Sequence, residues 1–149
     1  MFKDYICNDI GIFEIVANDH AVISISYVDE IKISNPNHLT KQAVVELNEY
    51  FNRKRNIFTF PIEYHSTCFR EQVWKALQNI PYGETCSYGE IAKVIENPKA
   101  SRAVGQAVHF NPLLIVVPCH RVLASGNKIG GFACGIHVKQ KLLELERQS

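Results

Sequence analysis

The hydrophobic pattern of the chain changes period near residue 65. Before that point β-branched residues arrive in short bursts, Ile12, Ile15 and Val16 and then Val22, Ile23, Ile25 and Val28, with Asn18-Asp19 between them as a turn signal. Bursts of this length bounded by turn residues read as strands of a meander. From Thr40 to Asn52, Ala43, Val44, Leu47, Tyr50 and Phe51 recur at helical spacing behind a Thr cap, and Ile57 to Tyr64 reads as one more strand. Beyond His65 the period is helical. Thr67 caps a segment in which Phe69, Val73, Trp74 and Leu77 share a face, and Ile80-Pro81-Tyr82-Gly83 stops it. Ser87, with Glu90 three positions on as a capping box, opens a helix carrying Ile91, Ala92, Val94 and Ile95, which Asn97-Pro98 ends. Residues 100–109 form a third helix of small residues, and Leu142, Leu143 and Leu145 lie on a last one. An α+β chain with an N-terminal strand/helix unit over 1–65 and a helical unit over 66–149 is expected.

Electrostatics divide the chain at the same place. Residues 1–65 hold 6 Lys/Arg against 9 Asp/Glu, and residues 66–149 hold 10 against 6, so the halves carry −3 and +4. The sign suits a second half that faces phosphate, and its two short helices followed by a small-residue helix have a helix-turn-helix outline. Five scattered cysteines, Cys7, Cys68, Cys86, Cys119 and Cys134, form no Cys-x-x-Cys pair, which argues against a disulfide scaffold or a zinc finger. Cys7, His20, His38 and His65 make no convincing ligand set, so no metal is expected. The N-terminus lacks a basic start and an apolar stretch, and no run reaches the length of a membrane span, so a cytoplasmic protein with reduced thiols is expected.

The chemistry concentrates after residue 112. Leu113 to Val117 is an unbroken apolar run that stops at Pro118, and Cys119-His120-Arg121 follows at once. Polar groups at the end of a buried run cost free energy unless they are paired or used. A free cysteine in such a place is commonly an inert core residue. Here the adjacent His and Arg can stabilise a thiolate, Pro118 fixes the backbone, and the glycine-rich Gly130-Gly131-Phe132-Ala133-Cys134-Gly135 allows close approach. An activated thiolate accounts for more of these residues than a packed thiol does.

Pro118-Cys119-His120-Arg121-Val122 resembles the active-site signature of the O6-alkylguanine-DNA alkyltransferases, or methylated-DNA–protein-cysteine methyltransferases. Ile80-Pro81-Tyr82-Gly83-Glu84-Thr85, Ser87-Tyr88-Gly89-Glu90-Ile91-Ala92, Arg102-Ala103-Val104-Gly105 and Asn111-Pro112 resemble further motifs of that family, in its order and spacing. The resemblance is strong over residues 66–149, while residues 1–65 match in size and in strand/helix pattern. It implies a small RNase H-like N-terminal domain followed by a winged-helix-like DNA-binding domain that carries the cysteine. The implied reaction is stoichiometric transfer of an alkyl group from O6-alkylguanine, and from O4-alkylthymine, in double-stranded DNA onto Cys119, with no cofactor. The protein is spent after one turn.

The same resemblance distributes the roles. Cys119 is the nucleophile, His120 accepts the thiol proton through a water, Glu146 orients His120, and Asn111 helps fix the network. Tyr88 donates to the guanine ring and helps turn the nucleotide out. Arg102 fills the vacated space from the minor groove, while Ala103 and Gly105 let the helix sit close. Ser87 and Arg121 are placed with the DNA contacts, and Val122, Phe132, Ala133 and Cys134 with the alkyl pocket. Phe132, Ala133 and Cys134 depart from the commoner Tyr, Ser or Ala, and Gly, and Cys134 is expected to make bulky alkyl groups slower than methyl. Two other readings are a non-catalytic lesion binder, which in related proteins has Trp in place of Cys119, and a cysteine hydrolase using His109 or His137. A monomer, cooperative on DNA at most, working in the cytoplasm with access to the nucleoid (or in the nucleus of a eukaryote), completes the expectation.

Overall fold

The computed structural model describes residues 1–124 and 135–147. It divides into two units, Met1–Tyr64 with Pro112–Leu114, and His65–Asn111 with Ile115–Ser149. Among the described residues no helix is long and apolar enough to cross a membrane.

The first unit is an antiparallel sheet, β1 (Phe2–Cys7), β2 (Ile12–Ala17) and β3 (Val22–Val28) in sequential order, with helix α1 (His38–Phe51). Phe13 and Ile15 on β2 alternate into the buried face, and on β3 a bulge between the partners of Val16 and Ala17 lets Val22 and Ile25, three residues apart, both be buried. Asn18-Asp19 is the expected turn, because Asn18 Oδ1 accepts from the His20 and Ala21 amides at 2.7 and 2.8 Å. Gly11 is required by a close approach: at φ +151°, a Cβ there would lie 2.2 Å from the Tyr27 ring.

Three local expectations change. β1 is added to the expected strands: Lys3 and Asp4 are poor strand formers, and pairing with β2 supplies what local preference lacks. The α1 cap is Asn37, whose side chain accepts from the Thr40 amide while Thr40 Oγ1 accepts from the Asn37 amide, so Thr40 is the third helical residue of a capping box. Residues 57–64 form no strand beyond one bridge, Val22 to Ile62, since Pro61 has no N–H to continue a ladder. Pro112 and Leu114 also hydrogen-bond Ile25, which threads a short piece of the later chain into this unit.

The second unit is built from α2 (Cys68–Leu77), α3 (Tyr88–Val94), α4 (Ser101–His109) and α5 (Ile136–Arg147). Thr67 caps α2 through the Arg70 amide, and Ser87 caps α3 through the Glu90 amide, both as expected. Val73, Trp74 and Leu77 of α2 are buried with Ile91, Val104, Ala107 and Leu142, and Trp74 Nε1 donates to Ala107 O at 2.7 Å, which locks α2 to α4. A small parallel pair, β4 (Cys86–Ser87) with β5 (Val122–Leu123), joins the start of α3 to the turn that carries Cys119. The run before that turn is buried but irregular. Ile115 holds φ +72°, a conformation strained for a β-branched residue.

Candidate active site

A single 3₁₀ turn, Cys119–Arg121, presents the three chemical residues, and the buried Pro118 fixes its entry. Cys119 is 2% exposed and His120 fully buried. Asn111 Nδ2 donates to Val117 O at 2.8 Å and so pins the segment that leads into the turn. The Val122 amide closes the turn on Cys119 O.

Glu146, near the end of α5, is 3% exposed and lies at the centre of the polar network. Its Oε2 is 2.6 Å from His120 Nε2. Arg121 donates Nε to Oε1 at 2.8 Å and Nη2 to Oε2 at 3.1 Å, and the Gly83 amide donates to Oε1 at 3.2 Å. Gly83 holds φ +80°, so the Ile80-Pro81-Tyr82-Gly83 turn needs glycine at that position. Arg121 Nη1 also donates to Ile80 O at 2.7 Å, and its guanidinium lies 5.7 Å from the centre of the Tyr82 ring. The Ile-Pro-Tyr-Gly motif is therefore a seat for the carboxylate and its arginine. Burial lowers the His120 pKa below its usual value; Glu146 opposes this, and Arg121 and Lys139 add to it. A neutral imidazole is the consequence.

Arg121 departs from its expected place among the DNA contacts. At 6% exposed, with three nitrogens committed to Glu146 and Ile80, its fork faces inward because a buried carboxylate needs a buried cation. Lys139 joins the site without any signature in the sequence. It is fully buried on α5, and its Nζ donates to Val122 O at 2.6 Å. Burial lowers the Lys139 pKa, and the negative charge of Cys119 works against that. A lysine on a helix ordinarily reads as a solvated charge, and the only hint here was its position four residues before Leu143 on the apolar face.

Tyr88, the first residue of α3, is half-buried, and its hydroxyl pKa is raised by burial and further by the charge of Cys119. Ser87 is occupied in capping α3. On α4, Arg102 and Ala103 are exposed and Gly105 is half-buried, with Tyr88 about 4.0 Å from where a Cβ on Gly105 would lie. Tyr88 and the small-residue helix are thus neighbours. Val122 is buried. Phe132, Ala133 and Cys134 lie outside the described residues.

Residues 68–148 match the 6-O-methylguanine DNA methyltransferase DNA-binding domain, and residues 1–64 match that protein's ribonuclease-like domain. The methylated-DNA–protein-cysteine methyltransferase of Methanosarcina mazei is 44% identical over 127 residues, spanning 81% of this chain and 80% of that one. Its namesake in Mycobacterium bovis is 50% identical over 105 residues, spanning 70% and 64%. Among solved structures, Mycobacterium tuberculosis OGT in complex with DNA has a TM-score of 0.91 at 38% identity, covering 99% of this chain and 94% of that chain. An O6-methylguanine DNA methyltransferase from Methanococcus jannaschii has a TM-score of 0.73 at 26% identity, covering 98% and 94%. A small α+β N-terminal domain, a helical DNA-binding domain and matches along both place the chain in the 6-O-methylguanine DNA methyltransferase family.

Proposed function

We propose that the protein repairs DNA directly, by moving the alkyl group of O6-alkylguanine in a duplex onto Cys119. The observation that carries this is a buried cysteine followed at once by a histidine bonded to a buried glutamate at 2.6 Å. That is the order of nucleophile, base and orienting group that activates a thiol. His120 takes the thiol proton through a water, the sulfur–carbon bond forms as the carbon–O6 bond breaks, and the released electron pair passes to the guanine. Tyr88 offsets that charge by donating to the ring. The S-alkylcysteine is stable, so each chain acts once.

A base inside a duplex cannot reach a buried thiol, so the nucleotide leaves the stack, at a cost of a few kcal/mol. Arg102, exposed at the start of α4, takes its place, and Ala103 and Gly105 keep the helix thin enough for the minor groove. Ser87 contacts the backbone nearby. The Val122 and Cys119 carbonyls receive the guanine amine. Residues 1–65 support the catalytic half, 66–149, in a monomer that works in the cytoplasm with access to the nucleoid. O4-alkylthymine is a second substrate.

Titration with an excess of duplex bearing O6-methylguanine tests the single-use reading. The number of methyl groups removed levels off at one per chain. A yield that keeps rising with time contradicts it and favours a hydrolase.

A further inference from the structure

The number of donors around Glu146 fixes more than its position. An ionised carboxylate offers about four lone-pair sites and no proton. Of four contacts among the described residues, two come from Arg121, through Nε and Nη2, and one from the Gly83 amide, and all three groups can only donate. The fourth is His120 Nε2. The Arg121 cation bonded to both of its oxygens holds the carboxyl in the charged form, which can only accept. Glu146 is therefore ionised, and the His120 nitrogen facing it carries the hydrogen. His120 Nδ1, buried and without a hydrogen-bond partner among the described residues, is left as the lone pair.

We propose that Arg121 is the positioning residue of this site: its fork holds Glu146 as a two-oxygen acceptor and fixes His120 as the neutral Nε2–H tautomer, with Nδ1 free to accept the thiol proton. This rests on the reading of His120 as the base for transfer to Cys119. Arg121 also sets the charge. The charged groups acting on the imidazole are Glu146, Arg121 and Lys139. Burial, with Arg121 and Lys139 working against Glu146, keeps the ring from holding a second proton. Without Arg121, an uncompensated carboxylate 2.6 Å away draws a proton onto His120, and the base is consumed before substrate arrives.

The test is single-turnover methyl transfer from an O6-methylguanine duplex across the pH range, for wild type, Arg121→Gln and Arg121→Lys, with ¹⁵N NMR of His120. Arg121→Gln moves the acid limb of the profile up by about one pH unit, so its deficit grows as pH falls and reaches about tenfold only below the wild-type limb. Arg121→Lys keeps the charge and holds the limb in place while slowing transfer by a similar factor at every pH. In the wild type near pH 7, His120 Nδ1 is unprotonated and Nε2 carries the hydrogen. An Arg121→Gln profile lowered by one factor at all pH values, with His120 titrating as in the wild type, overturns the proposal. If that variant does not fold, the wild-type spectrum decides: a protonated Nδ1 overturns the assignment. A wild type that transfers no methyl refutes the underlying reading, an outcome distinct from all of these.

Discussion

His120 Nε2 and Glu146 Oε2 lie 2.6 Å apart across 26 residues of chain, and neither residue is more than 3% exposed. The contact joins the end of α5 to the turn holding Cys119. A burial this deep is costly for an unbalanced charge, so the carboxylate, the imidazole and the Arg121 fork stand or fall together.

Replacing Glu146 by Gln puts an amide where four donors converge. At least one of them then faces an N–H group. Breaking a buried pair in this way costs about 3–5 kcal/mol of stability. Loss of the tautomer control lowers the rate of methyl transfer by roughly a hundredfold or more. Chemical denaturation and single-turnover kinetics check the two parts, and a variant with unchanged rate contradicts the role of Glu146.

Acid should weaken the fold through His120. Its folded pKa lies below the usual value of 6.5, mainly because the ring is buried. In that case the unfolded chain binds a proton that the folded one refuses, and stability falls as pH drops through 6.5 towards the folded value, below which the loss is complete. The slope contributed is at most about 1.4 kcal/mol per pH unit. Urea titrations of wild type and His120→Gln at neutral and mildly acid pH measure it as the extra loss in the wild type.

Lys139 carries a charge into the core beside Cys119 and holds the Val122 carbonyl. Lys139→Met removes the cation that favours the thiolate. The reaction of Cys119 with a neutral thiol reagent near neutral pH then slows roughly tenfold, the equivalent of about 1.4 kcal/mol of lost charge stabilisation. Unchanged reactivity would leave Lys139 as a packing residue only.

Arg102 is exposed and touches none of the buried network, so Arg102→Ala leaves stability within about 0.5 kcal/mol of wild type. Repair of a lesion in duplex falls roughly tenfold, the loss of about 1.4 kcal/mol of help in unstacking the base. Reaction with the free O6-methylguanine base is unaffected. Equal losses on both substrates refute an insertion role.

Local signals carried part of this structure. Thr67 and Ser87 mark their helices because a cap is a contact between near neighbours, and Asn18-Asp19 marks its hairpin for the same reason. Cys119 and His120 stood out through an abrupt change of polarity. What depended on distant partners stayed hidden. β1 needs β2, residues 112–114 need Ile25, and the Gly83 amide needs a carboxylate from the far end of the chain. Arg121 and Lys139 look like surface cations until the fold places them inside, and only the resemblance to the family separated Glu146 from a solvated charge.

Intact-mass analysis tests the central claim most directly. The protein is incubated with duplex bearing O6-methylguanine, beside Cys119→Ser, and the modified peptide is mapped. The wild type gains the mass of one methyl group, carried on Cys119, and the variant gains none. Tight binding to the duplex with no gain in mass, or a methyl group found on another cysteine, contradicts the account.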